Sequence, residues 1–378
     1  MKTRFDSIDA VRGLGAFAVV VWHWQHMLLA PGPRHTWPPA GGIDRALEPF
    51  YVVLKPFYEY GFWAVDLFFV ISGFIFYLLY RESVAAGRTR ARDFFFLRLS
   101  RLWPLHVITL LIVAVLQYFF WMRTQQTFVY VHNDLPHFIG NLFLINAPVY
   151  SFNGPTWALT VEAALYAAFW PLARLGLLKH WPVTLALAGV GLWMLLTPGW
   201  IVWGRGVAGF FVGGLACAVF LVAKQRDSLL RIFSIAAGLG WAATLTLAYA
   251  QPNLYAGLAP EAALWARRGL NWSMLYLLFP ATIIALALWD AQRAKPIPAF
   301  GWLGSISYAA YVVHFPMQLA LALAIVHGLA PDDFAESSVA FVLFFVALAL
   351  ISRAVFVWLE EPVQRWMRRH LVAAHPSA

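Results

Sequence analysis

Runs of apolar residues close to membrane-crossing length recur from one end of this chain to the other, and few folds can absorb them. They fall at about 8–29, 61–80, 102–121, 157–178, 182–198, 201–223, 229–249, 270–290, 303–326 and 336–359. Each approaches the roughly 20 residues that carry a helix through a hydrocarbon core. In lipid a spanning backbone must satisfy its own hydrogen bonds, so these runs read as helices. The expected fold is all-α, a polytopic membrane protein of about ten transmembrane helices. Only 12% of the 378 residues are charged, about half of the roughly 25% found in soluble domains. That leaves too little polar sequence to clothe a water-facing surface.

Details along the runs sharpen this picture. The fifth is short and is interrupted late by Pro198-Gly199. The stretch 138–149 is apolar but too short to cross, so it is expected in the interface or re-entering from one side. Lys2 and Arg4 precede the first run as in a signal peptide. That run continues to Leu29 without a small-x-small cleavage site, and it reads as the first helix of the mature protein. There is neither an internal repeat nor a low-complexity tract. A single integral membrane domain over 1–378 is expected, with its core at 8–362 and a short cytoplasmic tail at 363–378.

A net charge of +9 could point to nucleic acid. The arginines, however, sit beside apolar runs, so the bilayer is the expected partner and nucleic acid is not. Arg81, Arg88, Arg90, Arg92, Arg98 and Arg101 lie between the second and third runs. Lys224, Arg226 and Arg231, then Arg293 and Lys295, then Arg365, Arg368 and Arg369 fall on the same side if both termini are cytoplasmic. Asp134, Glu261, Asp332, Asp333 and Glu336 take the opposite side; Arg34, Arg45, Lys55, Arg267 and Arg268 are exceptions. The long connections 30–60 and 122–156 then face outward, and their Pro, Gly, Trp, Tyr, Asn and His content suits a mouth that grips a polar acceptor. Cys217, the one cysteine, lies in an apolar run and reads as a packed thiol. No metal site is expected.

Ionisable groups inside spans are costly and mark function by default. Arg12, Arg98, Arg101, His106 and Arg353 fall near the inner face on this topology. His23, His26, Asp66, Glu162 and Arg205 fall toward the outer half, with His314 near the middle of the ninth run. The inner set suits an anionic, phosphate-rich ligand, although Arg98 and Arg101 could equally anchor the third span at the headgroups. The outer set is the material of acid–base catalysis. Arg12 and His23 are 11 residues apart, which returns to within about 20° of one helix face and rises about 16 Å. One stripe thus carries a cation below and an imidazole above.

These residues resemble the acyltransferase family 3 membrane proteins. The segment Ile8-Asp9-Ala10-Val11-Arg12-Gly13-Leu14 with His23 resembles the family's Arg/Lys–ten residues–His opening. Gly61 to Phe74, with Asp66 and Ser72-Gly73, resembles its second-helix motif. Arg98-Leu99-Ser100-Arg101 resembles its RxxR segment. Trp157 to Tyr166 resembles W-S-L-S-V-E-E-x-x-Y, with Thr160 for Ser and Ala163 for the second Glu. Gly304 to Tyr308 with His314-Phe315-Pro316, and then Glu360-Glu361-Pro362, complete the order. Ala163 removes a carboxylate, which puts in doubt any mechanism needing two adjacent ones there.

The resemblance implies a ten-helix core, an acyl-CoA-type donor (acetyl-CoA above all) taken from the cytoplasm, and an acceptor hydroxyl on a carbohydrate or glycolipid at the outer side. It implies the inner membrane of a bacterium. The sequence carries no hydrolase-like domain of the kind fused to some relatives, so transfer without a fused partner is expected. His23 is the expected catalytic imidazole, as base or as acyl carrier. Glu162, and after it Asp66, would orient or charge-balance it, or hold the sugar. Arg12, Arg98 and Arg101 would hold donor phosphates. Arg205, His314, Trp157 and Tyr166 are candidates for substrate binding; Arg205 and His314 equally suit structural roles, and Tyr166, Ser72 and Ser307 suit helix–helix hydrogen bonds. A secondary transporter of a small polar or anionic solute is the alternative, but such folds often carry inverted repeats.

Overall fold

The computed structural model describes residues 5–28, 44–147, 149–250, 257–293, 295 and 297–371. Leu29, Arg34, part of the 30–60 connection and the end of the tail lie outside these. Every regular element among the described residues is helical. In chain order they are α1 (Asp6–His23), α2 (Gln25–Leu28), α3 (Tyr51–Tyr60), α4 (Trp63–Leu79), α5 (Arg81–Ala85), α6 (Ala91–Thr124), α7 (Leu135–Leu142), α8 (Trp157–Arg174), α9 (Trp181–Leu196), α10 (Ile201–Ala223), α11 (Asp227–Ala250), α12 (Pro260–Gln292), α13 (Pro298–Val326) and α14 (Ser338–His370), joined by short 3-10 turns. Five-residue π turns lie within α12 at Met274–Leu278 and within α14 at Phe356–Glu360.

All ten expected runs fold as helix, but not all are long and apolar enough to count as spans. Among the described residues six helices, α6 and α10 to α14, are long and apolar enough to cross a membrane, and a seventh span forms if α3 and α4, bent by 57° at their junction, count as one. The other three runs give 18 residues in α1, 18 in α8 and 16 in α9. They are shortened because a turn at Trp24 ends α1, Gly176 adopts a left-handed φ of 73° after α8, and Thr197 turns extended ahead of Pro198 after α9. The short apolar stretch 138–149 contributes the end of α7 and a turn, not a span.

The chain divides into two compact units. The first comprises Met1–Val19, Lys55–Thr89 and Ala164–Gly304. Its centre is the α4–α10 contact. A Cβ on Gly73 would run into the Phe210 carbonyl, and one on Gly213 into that of Val70. The glycines let two backbones touch, which is how membrane helices gain packing without a hydrophobic driving force. Beside them Arg205 Nε donates to Asp66 Oδ1 at 2.7 Å, and its Nη2 donates to the Phe62 carbonyl at 2.9 Å. Asp290, fully buried, accepts from both the backbone N–H and the hydroxyl of Ser7 at 2.9 Å and so holds the first turn of α1.

The second unit comprises Val20–Leu54, Arg90–Ala163 and Ser305–Ala378. Its core joins Met27, Leu110, Val113, Phe120, Phe128, Phe152, Phe315 and Leu319. These come from α2, α6, the connection after α6, and α13, and this unit contains His23, His26, His106 and His314.

Candidate functional site

The site begins with a helix that stops. At Trp24 the chain turns, and Met27 N–H bonds the Trp24 carbonyl three residues back instead of the His23 carbonyl four back. Trp24 holds the break: its Nε1 donates to the Ala335 carbonyl at 2.9 Å, and its ring packs edge-on to Phe341 and Phe344. A carbonyl released at a helix end needs another donor. For His23 the donor is Gln318 Nε2, at 3.0 Å.

Gln318 stands one turn beyond His314 on α13, so both point to the same side. The rings of His314 and His23 lie at 24° with centroids 4.9 Å apart, and His314 Nε2 meets His23 Nδ1 at 3.1 Å. His26 adds a third imidazole, its ring centroid 4.9 Å from that of His23. His314 is fully buried and His23 is 6% exposed.

The order of His314 and Pro316 explains the next layer. Pro316 lies inside α13 and has no N–H to offer the Val312 carbonyl four residues back. Asn153 supplies the missing donor through Nδ2, at 2.9 Å. A proline thus calls in a side chain from the connection between α6 and α8. The Tyr311 hydroxyl binds the Pro155 carbonyl in that same connection.

The connection is shaped against its own preferences. Gln125, Val129, Leu144 and Phe152 all have left-handed φ between 47° and 61°, a region costly for bulky or β-branched residues. What holds them is bonding and burial. Gln117 takes Phe128 at both backbone atoms, accepting its N–H and donating to its carbonyl. Phe128 and Tyr130 then pack on Phe315, and Tyr130 stands edge-on to the His26 ring. Strain of this kind concentrates at functional sites. A polar network lies beneath: Asn146 accepts from the Ser151 N–H and hydroxyl, Asn141 donates to Ser151, and His106 Nε2 meets the Asn141 carbonyl at 2.7 Å. Asn141 Oδ1, Asn153 Oδ1 and His106 Nδ1 are buried there with no hydrogen-bond partner among the described residues.

The remaining sequence candidates divide between the units. Arg98 and Arg101 are half-buried on α6 at i, i+3, so both guanidinium groups share one helix face. Glu162 is half-buried on α8, and Trp157 packs edge-on to Tyr150. In the first unit Arg12 lies 3.5 Å from Asp9. Asp66 Oδ1 lies 2.7 Å from Arg205 Nε, and the Tyr166 ring stacks on that of Phe76 with centroids 4.4 Å apart. Among the described residues no group of three His, Cys, Asp or Glu is placed to share a metal ion.

The pairing of His314 with His23 is the feature that sequence reading missed, as it missed Gln318 and Asn153. Pro316 announces an orphaned carbonyl at Val312, but nothing in the sequence says which donor answers it.

A family model described as an acyltransferase domain, of the acyltransferase-3 type, matches residues 5–360. No curated protein and no solved structure matches the chain.

Proposed function

The chain belongs to this acyltransferase family, with 5–360 of its 378 residues inside the family domain, and from that premise we propose a membrane O-acyltransferase that acts through His23. The donor in this reading is a cytoplasmic acyl-CoA, acetyl-CoA foremost, and the acceptor a hydroxyl of a carbohydrate-containing molecule on the outer side of a bacterial inner membrane. Both termini are then cytoplasmic, and the whole chain works as one membrane domain.

The observation that carries the reading is the buried pair of His23 and His314, 3.1 Å apart at the broken end of α1. A hydroxyl is a poor nucleophile at neutral pH, so a positioned base is required. In the proposed reaction His23 takes the hydroxyl proton as the oxygen bonds to the thioester carbonyl carbon. The tetrahedral intermediate collapses with cleavage of the C–S bond. The departing thiolate takes the proton back from the imidazolium, which leaves an ester and free CoA thiol. Asn141, Asn153 and His106 support a hydroxyl-rich acceptor: each presents a buried acceptor atom without a donor among the described residues, and a polyol supplies donors in number. Arg98 and Arg101 suit donor phosphates because two guanidinium forks on one helix face match their oxygens.

The test compares surface glycans by mass spectrometry in cells with and without this protein, and in cells carrying His23→Ala. The expected result is one acyl increment present only with the wild-type chain. An increment that persists in the His23→Ala cells, with the protein made at normal levels, would remove His23 from the centre of the reaction. Solute uptake without a covalent product would favour a transporter instead.

A further inference from the structure

We propose that His314 is a positioning residue that fixes the proton of His23 on Nδ1, so that Nε2 is the nitrogen that receives the acceptor's proton. This rests on His23 being the base of acyl transfer.

Hydrogen-bond polarity along α13 sets the tautomer. His314 Nδ1 lies 3.3 Å from the Ala310 carbonyl. A carbonyl oxygen only accepts, so Nδ1 of His314 carries the hydrogen. A neutral imidazole has one N–H, and Nε2 of His314 is therefore a lone pair. That lone pair meets His23 Nδ1 at 3.1 Å, and the bond forms only if His23 Nδ1 donates. A neutral His23 bonded in this way carries its lone pair on Nε2. A base whose far nitrogen is held by an acceptor is the common way of setting a catalytic tautomer, and the acceptor is usually a carboxylate. Here a neutral imidazole does the work, directed in turn by a backbone carbonyl of its own helix.

The backbone is fixed along with the ring. Gln318 holds the His23 carbonyl released by the turn at Trp24. Two residues one turn apart on α13 thus grip both ends of His23: His314 the imidazole, Gln318 the main chain. A residue that only filled space beside His23 would need neither nitrogen in register. His314 has one on each side.

Two substitutions separate positioning from packing. His314→Gln retains an oxygen that can accept from His23 Nδ1, whereas His314→Leu fills the space without an acceptor. With purified protein in vesicles and acetyl-CoA as donor, His314→Leu should lower kcat about a hundredfold or more, the scale of a mis-set general base. KM for donor and acceptor should stay within about twofold, and His314→Gln should recover most of kcat. Equal kcat for the two variants, or a loss confined to KM, overturns the proposal.

Nitrogen NMR of histidine-labelled protein gives an answer that does not depend on turnover. Wild-type His23 should be protonated at Nδ1, and His314→Leu should move the proton to Nε2, the tautomer favoured by free imidazole side chains. His23 protonated at Nε2 in the wild type overturns the assignment even if both variants are poorly active. If no acyl transfer occurs with the wild-type chain, the functional reading fails, while the spectrum still decides the tautomer.

Discussion

At the residue scale, Pro316 is the most informative position in the second unit. It deprives the Val312 carbonyl of its helical donor, and Asn153 answers from a distant segment. A buried carbonyl left unsatisfied costs about 1–3 kcal/mol. Asn153→Leu should therefore lower the stability of the detergent-solubilised protein by that amount. Pro316→Ala restores a backbone N–H opposite Val312, so in the Pro316→Ala background the same Asn153→Leu change should cost less than half as much. Thermal unfolding of the four proteins in a double-mutant cycle measures this. Equal penalties in both backgrounds would mean that Asn153 is important for some other contact. The sequence shows Pro316 within an apolar run, two positions after His314, but the orphaned carbonyl was not read from it. Asn153 was not legible, because a side chain 159 positions from Val312 leaves no trace of the pairing in a single sequence.

At the scale of elements, legibility followed periodicity and small residues. All ten apolar runs fold as helix, because length and hydropathy are local properties. Their ends were less readable. The break at Trp24 depends on Ala335, Phe341 and Phe344, which the local sequence around His23 does not contain. Gly73 and Gly213 are small residues within two of those runs, and the α4–α10 contact uses both. Here a single added methyl meets backbone, which cannot rotate aside as a flexible side chain can. Gly73→Ala should thus force α4 and α10 apart and cost about 1–3 kcal/mol, the usual penalty of overpacking. Gly189→Ala, with nothing within 4 Å of its added carbon, is the matched control and should be neutral or slightly stabilising. Thermal unfolding compares the two. A neutral Gly73→Ala would show that the backbones are not in contact at that point.

For the whole molecule, the proposed function requires one bilayer-embedded chain to keep a donor site apart from an acceptor site. Charge distribution is the property that acts over that distance. The chain has 27 Lys and Arg against 18 Asp and Glu, and many of the cations gather in a few clusters beside the apolar runs. Arg98 and Arg101 sit in the largest of these clusters, half-buried on a common face of α6. If they bind donor phosphates, replacing both by Ala should raise KM for acyl-CoA at least tenfold, about 1.4 kcal/mol in binding, since a charge-assisted hydrogen bond contributes about 1.5–3 kcal/mol. KM for the acceptor and kcat at saturating donor should change little, because uniform binding energy has been lost without loss of transition-state stabilisation. Raising salt should weaken donor binding in the wild type and have less effect on the double variant, since fewer charges remain to be screened. Headgroup anchoring predicts a different pattern: lower protein yield and lower Tm, with both KM values unmoved in the fraction that folds. Initial rates at varied donor, acceptor and salt, set beside the unfolding curve of the same preparation, distinguish a phosphate site from a membrane anchor.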